Sequence, residues 1–286
     1  MEAAIRLGIF LGIFAVVALL EVRFPRRPRQ QTRLERWRTN LGILVVDVVA
    51  QRLTVGAAAY VTAVYAQAHG WGLFNLLGWP WWVEAVLAFL ILDFAIYLQH
   101  VMSHALPAFW RLHRVHHSDL EVDLTTGIRF HPVEIVISMV YKAAVVAAIG
   151  ADPWVVVAFE VVLNASAVFT HGNVRLPDSL DRALRLLVCT PDMHRVHHSV
   201  VPVETNSNFG FFLSVWDRLC GTMRHAPAAG QVGATLGLGE LRDPRALGLL
   251  GLLRLPLDRP HDGTSFLGPD REPAGSEPAL GRRQAG

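Results

Sequence analysis

Histidines in this 286-residue sequence fall into short boxes whose spacing suits metal binding. The letters HRVHHS occur at His113–Ser118 and again at His194–Ser199, and HVMSH precedes them at His100–His104. Residues three or four positions apart share one face of an α-helix, so each box presents two or three imidazoles in one direction. Imidazole is the commonest protein ligand of metals and suits iron, zinc and copper. The predicted metal ligands are His100, His104, His113, His116, His117, His194, His197 and His198.

The number of histidines in these boxes indicates two metal ions rather than one. One ion takes roughly four to six ligands, and the three boxes together offer eight imidazoles. His171 ends an apolar run, and we expect it to join the ligands; His131 precedes another run, where it is either a ligand or the partner of a helix-start hydrogen bond. Structural zinc needs only four ligands, and transporters usually bind near the bilayer midplane, so the pattern favours an enzyme site.

Three carboxylates stand where they could support ligand imidazoles. Asp93 and Tyr97 precede His100 by seven and three positions, on the same helical face. A carboxylate within an apolar run is costly and usually functional, and it could accept a hydrogen bond from a ligand histidine and fix its tautomer. Glu134 and Asp192 are predicted to do the same for neighbouring histidines.

The composition predicts a membrane protein. Hydrophobic residues make up 52% and charged residues 17% of the chain, whereas soluble domains carry about 25% charged residues. The net charge of +2 gives no electrostatic footprint for nucleic acid, so we expect no such partner. Cys189 and Cys220 are too few for a disulfide framework or a Cys-ligated iron–sulfur centre, and we expect both thiols to be packed.

Apolar runs of the length that a membrane span needs, about 20 residues, must position the boxes. They cover residues 4–22, 41–66, 83–106, 133–150 and 153–172. Asp47, Gln51 and Arg52 interrupt the second run, so a re-entrant hairpin is an alternative to a span there. The expected fold class is all-α: a multi-span transmembrane helical bundle of about four to five spans, with a cytoplasmic helical cap that holds a His-rich dimetal site.

Arginines that follow the first run set the orientation. Seven of them lie between residues 23 and 38, and positively charged loops stay in the cytoplasm. Following the spans from there brings all three boxes and His171 to the cytoplasmic side, with the N-terminus outside. We therefore expect a multi-pass integral membrane protein, of the bacterial inner membrane, whose metal site faces the cytoplasm.

The boxes belong to a longer series of motifs between about residues 92 and 222. The series comprises DxxxYxxHxxxH from Asp93, HRVHHS from His113, HPVE from His131, HGN from His171, TPDMHRVHHS from Thr190, NFG from Asn208 and WDRLCGT from Trp216. Together these motifs resemble the fatty acid hydroxylase / sterol desaturase superfamily, whose members are integral-membrane, non-haem di-iron oxygenases. Val101, where the family often has Arg, and Cys220, in place of a usual Phe, depart from the pattern without touching a ligand position.

The resemblance implies O2-dependent oxidation of a lipid. It implies two iron ions as cofactor, O2 as co-substrate, His171 as a ninth ligand beside the box histidines, and Asn208 among the residues that support the site. We expect hydroxylation of an aliphatic C–H bond of a fatty acyl, sterol-like or related membrane lipid. A desaturase that uses the same site, or a metal-binding relative that has lost catalysis, are the alternatives.

The same reading divides the chain into three parts. Residues 1–82 are expected to be N-terminal membrane anchor helices, 83–225 the catalytic membrane domain, and 226–286 a partly disordered cytoplasmic tail. No haem or flavin segment appears, so electrons are expected from a separate ferredoxin- or cytochrome b5-like protein with its reductase. The oligomeric state is unknown from the sequence.

Overall fold

Helices form all the regular structure of residues 2–258, which the computed structural model describes. The α-helices are α1 (Glu2–Arg23), α2 (Arg33–Thr54), α3 (Ala58–His69), α4 (Leu73–Leu77), α5 (Trp81–Ala105), α6 (Pro107–His117), α7 (Pro132–Ile149), α8 (Pro153–His171), α9 (Asp178–Leu184), α10 (Pro191–His197), α11 (Pro202–Thr205), α12 (Val215–Leu219), α13 (Gly230–Gly233) and α14 (Leu249–Arg254). Turns of 3₁₀-helix cover Thr126–Ile128, Pro244–Leu247 and Leu255–Leu257. Residues 2–258 contain three isolated β-bridges and no β-strand. The expected all-α class is therefore confirmed.

Short capping motifs begin two of the helices that carry histidines of the boxes and His171. Asp152 accepts hydrogen bonds from the amides of Trp154 and Val155 at the start of α8, and Thr190 accepts one from Met193 at the start of α10. In both helices a proline follows the cap, where its missing N–H costs nothing. These caps fix the chain direction at the entry of the two helices that carry His171 and the second HRVHHS box.

Five segments are long and apolar enough to cross a membrane, as expected. They are Ala4–Arg23, Arg33–Leu77, Trp81–Ala105, Pro132–Ile149 and Pro153–His171. The second is longer than the predicted run and consists of α2, α3 and α4, with a break at Gly56, whose φ is +53°. Both α2 and α3 pack along α7.

This second segment crosses the bundle once rather than turning back. At its start, Arg36 contacts Asp119 in the loop before α7. At its other end, Gly72 lies against Gly150 at the end of α7, so closely that a Cβ on Gly72 would lie 2.2 Å from the Gly150 nitrogen. The contacts therefore run from one end of α7 to the other, and the hairpin alternative is not adopted.

Both HRVHHS boxes lie at one end of the bundle, which we call the cap end. An isolated bridge joins Pro25, just after α1, to Val174, just after α8. The Arg36–Asp119 ion pair brings the start of α2 to the same end. The arginine-rich segment between α1 and α2 is thus on the same end of the bundle as the histidines.

The bundle core lies between α3, α5, α7 and α8 and is built largely from small and branched side chains. Ala59, Ala63 and Ala88 are fully buried there and let helix backbones approach closely. Phe159 fills the centre and packs edge-on against Phe89. α1 lies outside this core against α8, where Arg6 and Lys142 (of α7) both pair with Glu160.

Residues after 226 return to the cap end instead of leaving it. Leu236 forms a bridge with Ser199, the last residue of the second HRVHHS box. Asp243 accepts a hydrogen bond from the Arg245 amide at the start of a 3₁₀ turn, as a helix cap at this position would. Leu247, Leu252 and Leu255 then pack against Val115 of α6 and Ile43 of α2. The part of the 226–286 tail that we expect to be disordered, after about Arg259, lies outside the described residues.

Candidate metal centre

Four helices deliver nine histidines to the cap end. The last two turns of α5 carry His100 and His104, and α6 ends in the first HRVHH box. α8 ends at His171, while α10 and the residue that follows it carry the second box. All nine imidazoles are buried, none more than 3% exposed. The structure therefore gathers nine of the ten predicted histidines in one enclosed region.

The nine histidines form two groups, each with ligand atoms within 4.8 Å of one another. The first histidine group contains His100, His104, His113, His117 and His197. The second histidine group contains His116, His171, His194 and His198. The groups adjoin, because the ring of His198 lies 4.7 Å from the rings of His116 and of His117. Two metal positions side by side fit this arrangement.

Each HRVHH box is divided between the two groups in a reciprocal way. The first box gives its i, i+4 pair, His113 and His117, to the first group and His116 to the second. The second box gives its i, i+4 pair, His194 and His198, to the second group and His197 to the first. Both copies of the sequence are therefore needed to complete either group.

The Nε2 atoms converge within each group. In the second group, Nε2 of His171 lies 3.0 Å from that of His116 and 2.9 Å from that of His194. In the first, Nε2 of His100 lies 3.1 Å from that of His113. Lone pairs that meet so closely repel unless a proton or a cation lies between them, and a metal ion bound by several imidazoles supplies such a cation.

Oxygen acceptors on the outer side of the rings set the tautomers. Six Nδ1 atoms face an oxygen at 2.6–3.3 Å. The pairs are His100 with the Phe209 carbonyl, His104 with the Asn206 amide oxygen, His113 with Glu134, His116 with the Arg129 carbonyl, His171 with the Ala167 carbonyl and His197 with the Ser207 carbonyl. A proton held on Nδ1 leaves the Nε2 lone pair free to bind metal.

Burial keeps the imidazoles neutral, as ligands must be. Desolvation first, and the neighbouring imidazoles second, hold the pKa of five box histidines, His116, His117, His194, His197 and His198, well below the ordinary value of 6.5. Each added proton would place a positive charge in a dry cluster of other rings. At neutral pH these five rings are therefore uncharged donors.

Orphaned nitrogens support the fit of the region to metal ions. Nε2 of His104, Nε2 of His197 and both ring nitrogens of His117 are buried without a hydrogen-bond partner among the described residues. Leaving a buried polar atom unpaired costs about 1–3 kcal/mol, and a metal ion would remove that cost. An all-nitrogen donor set suits iron, zinc or copper rather than magnesium or calcium.

His131 is the one predicted ligand that the structure leaves outside both groups. Its Nδ1 accepts a hydrogen bond from the Val133 amide at the start of α7, and its Nε2 lies 3.4 Å from the Leu253 carbonyl. Of the two roles weighed for it, the geometry corresponds to the helix-start hydrogen bond. His69 and His225 are exposed and belong to neither group.

Among the three carboxylates expected beside the ligands, Glu134 contacts a histidine directly. Its Oε1 lies 2.6 Å from Nδ1 of His113. The structure places Asp192 in ion pairs with Arg26 and Arg195. Asp93 instead accepts hydrogen bonds from the indole N–H of Trp216 and from the Leu213 amide.

Tyr97 and Asn208 support the loop that borders the first group. The Tyr97 hydroxyl lies 2.9 Å from the Thr222 hydroxyl. Asn208, the non-glycine residue with positive φ (+53°) among residues 2–258, donates to the carbonyls of Met193 and Arg224. It thereby ties the loop to α10, next to the second box.

Asp217 has a positioning role that the sequence did not indicate. It accepts hydrogen bonds from the amides of Phe209 (2.8 Å) and Gly210 (2.9 Å) and from the Thr222 hydroxyl. Because the Phe209 carbonyl in turn accepts from His100, Asp217 fixes the peptide that orients a predicted ligand. Asp217 belongs to the WDRLCGT motif, but only the tertiary structure shows that it acts on His100 through Phe209.

A second unforeseen support lies under the loop before α7. Arg36 pairs with Asp119 and Asp123, and Arg129 donates to Asn40, Ser118 and the Val115 carbonyl, all in buried positions. Burial alone raises the pKa of Asp119, but the guanidinium groups of Arg36 and Arg129 outweigh it and lower the pKa to about 2. This network holds Arg129, whose carbonyl faces His116.

The two free cysteines differ in environment. Cys189 is buried, and desolvation raises the pKa of its thiol well above the ordinary value. Cys220 is exposed. The expectation of a packed thiol is thus confirmed for Cys189 and wrong for Cys220.

Sequence comparisons show that the chain is similar to lipid hydroxylases and monooxygenases. Residues 85–222 match the family model for fatty acid hydroxylase, a range that includes all nine clustered histidines. The chain is 27% identical over 262 residues to the ornithine lipid hydroxylase of Rhizobium tropici, covering 88% of this chain and 75% of the relative. No solved structure gives a significant match.

Other relatives align with a shorter part of the chain, about half of it. The alkylglycerol monooxygenase of Danio rerio is 32% identical over 154 residues, which is 54% of this chain and 32% of the relative. Cholesterol 25-hydroxylase of Rattus norvegicus is 26% identical over 147 residues, 50% of this chain and 48% of the relative. The chain thus spans about a third to a half of the length of these two relatives.

Proposed function

Because the chain belongs to the fatty acid hydroxylase / sterol desaturase superfamily, we propose that it is an O2-dependent membrane oxidoreductase that hydroxylates an aliphatic C–H bond of a lipid. The observation that carries the proposal is the pair of adjoining histidine groups, five and four imidazoles, buried at one end of a bundle of membrane-spanning helices. The relatives supply the reaction class, and the geometry supplies a centre able to hold two metal ions.

We propose iron as the metal. The five imidazoles of the first histidine group would hold one ion and the four of the second would hold the other, with His131 outside the set. When bound, a pair of iron ions would supply the O2 activation that an unactivated C–H bond requires, since no side chain acting alone as acid or base can break it. Zinc, which has no redox chemistry, would fit the donors but not the reaction.

The chain's own residues supply orientation and a dry enclosure. Glu134 and the carbonyl of Phe209 keep the protons of His113 and His100 on Nδ1. Trp110, fully buried beside His104, closes one side of the first group, and Phe130 stacks on His116 of the second. Excluding water in this way protects a strongly oxidising centre from side reactions.

The proposed substrate is a bilayer lipid that reaches the centre with its hydrocarbon chain. The centre lies at the ends of α5 and α8, both membrane-spanning helices, so a chain could approach it without leaving the apolar phase. The relative aligned over most of both chains is named for hydroxylation of ornithine lipid. An acylated lipid with a small polar headgroup is therefore the first substrate class to test.

Orientation and electron supply complete the proposal. The arginine-rich segment 23–38 and the histidines share the cap end, so the positive-inside rule would place the centre on the cytoplasmic side of, we propose, a bacterial inner membrane. Residues 83–225 would form the catalytic domain, with 1–82 as anchor and 226–286 as cytoplasmic tail. Electrons would come from a ferredoxin- or cytochrome b5-like partner with its reductase.

Lipid analysis tests the reaction. Cells that express the wild type, His197→Ala or His225→Ala are grown under isotopically labelled O2, and their lipid extracts are compared by mass spectrometry. We expect a labelled product, one oxygen atom heavier than its precursor, in the wild type and in His225→Ala, whose exposed ring lies outside both groups, but not in His197→Ala. A product that lacks two hydrogens and carries no label would identify the desaturase alternative.

Metal analysis distinguishes an active enzyme from a metal-binding relative that has lost catalysis. We expect about two irons per purified wild-type chain and a loss in His116→Ala, because each ion takes roughly four to six ligands. Iron-loaded protein without any oxidised lipid would identify a relative that has lost catalysis. Protein that binds less than about one metal per chain, unchanged in His116→Ala, would contradict the dimetal centre.

A further inference from the structure

The segment around Leu213 and Trp216 follows the last predicted span, so the sequence places it in the cap. In the structure it contacts the middle of α5. The Asp93 carboxylate accepts hydrogen bonds from the Trp216 indole at 2.8 Å and from the Leu213 amide at 3.2 Å. Asp93 is the central residue of the 25-residue helix α5, so it lies about 18 Å from either end at 1.5 Å per residue. Leu213 and Trp216 therefore lie far below the cap end of this span.

The bilayer level can be estimated from the other end of α5. Trp81 and Trp82 are 62% and 65% exposed there, as expected of an aromatic belt at a membrane interface. A hydrocarbon core of about 30 Å corresponds to roughly 20 helical residues from that belt. Asp93 then falls near the middle of the hydrocarbon core, and the contacts of Leu213 and Trp216 with it bring an irregular chain segment to that depth.

A second stretch of chain accompanies the first. Val188 forms a bridge with Leu213, the Cys189 amide donates to the Phe212 carbonyl at 2.8 Å, and the Ser214 amide donates to the Leu187 carbonyl at 3.0 Å. Residues 185–189 and 211–220, which we call the re-entrant pair, thus lie side by side along α5.

Several backbone groups of the re-entrant pair, which is irregular outside α12, are paired within it, as irregular chain at membrane depth requires. Arg218 donates to the carbonyls of Arg185 and Leu186, and the Ser214 hydroxyl donates to the Arg185 carbonyl as well. The Cys220 amide donates to the Trp216 carbonyl. The Arg218 guanidinium is therefore used inside the pair instead of pointing outward.

The outer face of the pair is apolar. Leu186, Leu187 and Leu219 are 70%, 62% and 72% exposed, a concentration of bare leucines that is unusual on a water-facing surface. Exposed Arg182 and Arg224 flank them in the chain. Cations beside an apolar patch match the anionic headgroups of a membrane surface.

We propose that the re-entrant pair is embedded in the cap-side leaflet, with Leu186, Leu187 and Leu219 in contact with lipid acyl chains. The pair packs on α5 through Trp216, whose ring lies 4.9 Å from that of Phe94, and Leu98, one turn further along α5, is 39% exposed. The pair also borders the metal centre, because the ring of Phe211 lies 5.1 Å from that of His100. The proposal concerns the bilayer contact and holds whether or not the protein hydroxylates a lipid.

Cys220 gives a native probe of this contact, since it is exposed next to Leu219 while Cys189 is buried. Wild-type protein is labelled in detergent with a bimane fluorophore and reconstituted in vesicles of phosphatidylcholine, with and without bromine on the acyl chains. Two control labels use the Cys220→Ser background: Val86→Cys, on the exposed face of α5, and Thr235→Cys, exposed in the cap.

We expect brominated lipid to quench the Cys220 label as it quenches the Val86→Cys label, and aqueous iodide to leave both unchanged. The Thr235→Cys label should show the opposite pattern. Quenching of the Cys220 label by iodide would overturn the proposal, because the pair would then face water. Quenching by neither agent would overturn it too, since a second protein surface, such as another copy of this chain, would then cover the leucines.

Discussion

Glu134 of α7 lies 2.6 Å from Nδ1 of His113 on α6 and connects a carboxylate in a membrane span to a predicted metal ligand. The other Glu134 oxygen is buried without a partner among the described residues. The carboxylate is thus aimed at the imidazole, where it holds the proton on Nδ1 and turns Nε2 toward the first histidine group. Removing it leaves the ligand in place but frees its tautomer.

Replacing Glu134 should therefore weaken metal binding more than it weakens the fold. We expect Glu134→Leu to lower the metal affinity by about 10–100-fold, the usual effect of losing such a partner. Glu134→Gln, whose amide oxygen can still accept from Nδ1, should fall between this variant and the wild type. Metal titration followed by mass spectrometry of the bound metal measures the effect, and equal affinities for all three proteins would contradict it.

Gly127 gives a way to disturb the second histidine group alone. A Cβ at this position would lie 2.4 Å from the Ala167 carbonyl oxygen and 3.1 Å from Nδ1 of His171. That carbonyl and that nitrogen are hydrogen-bonded to each other. We therefore expect Gly127→Ala to displace His171, so that the variant loses the metal ion of the second group before that of the first. Gly239→Ala, where a Cβ meets nothing within 4 Å, is the matched control. Iron per chain measures the loss, and unchanged iron in Gly127→Ala would refute it.

Asp217 should matter through the peptide that it holds. Asp217→Ala removes the carboxylate that accepts from the amides of Phe209 and Gly210, at about 1–3 kcal/mol for each lost hydrogen bond. We expect a lower unfolding temperature together with weaker metal binding, because the Phe209 carbonyl no longer keeps its place against His100. Asp217→Asn retains one acceptor oxygen and should recover part of both. Metal binding of wild-type strength in Asp217→Ala would show that Phe209 is held by other contacts.

Arg36 should contribute most to stability at neutral pH. Arg36→Leu leaves Asp119 and Asp123 buried without their main cation, and breaking a buried pair costs about 3–5 kcal/mol. The folded pKa of Asp119, about 2, lies below the ordinary 3.8, so the ionised form stabilises the fold above about pH 4 and this contribution disappears as pH falls toward 2.

Without Arg36 the pKa of Asp119 should rise, and protonation should then relieve the uncompensated charge. The difference in unfolding temperature between wild type and Arg36→Leu should therefore shrink as the pH is lowered from 7 toward 4. Thermal unfolding of both proteins across this range tests the sign, with Arg38→Leu, an exposed arginine on the same helix, as control. A difference that grows on acidification would contradict the role of Asp119.

Much of the architecture could be predicted because it depends on local pattern. Runs of apolar residues long enough to span a bilayer can be recognised from residue type alone. The five segments lie close to the predicted positions, except that the second is longer and broken at Gly56. Histidine pairs at i, i+4 likewise reveal a shared direction before any fold is known. The arginines after the first span identified the end of the bundle at which the boxes meet.

Contacts between distant segments could not be predicted from such patterns. Asp93 shares a helical face with His100, yet its carboxylate bonds Trp216, because a loop 120 residues away occupies the space beside it. The acceptors that hold the imidazoles are mostly backbone carbonyls, such as those of Ser207 and Phe209, and every residue has a carbonyl. Residue type therefore does not indicate which carbonyls accept hydrogen bonds from the histidines.

The sequence by itself determined that imidazoles able to bind metal meet at one end of a membrane bundle, since span length and helical spacing are set by residue type. Only the tertiary structure decided how the two HRVHHS copies are used. Each gives an i, i+4 pair to one group and its remaining histidine to the other. The physical reason is that α6 and α10 present two faces to the centre at once, and which ring meets which partner depends on how those helices are placed by Glu134, Asp217 and the network around Arg36.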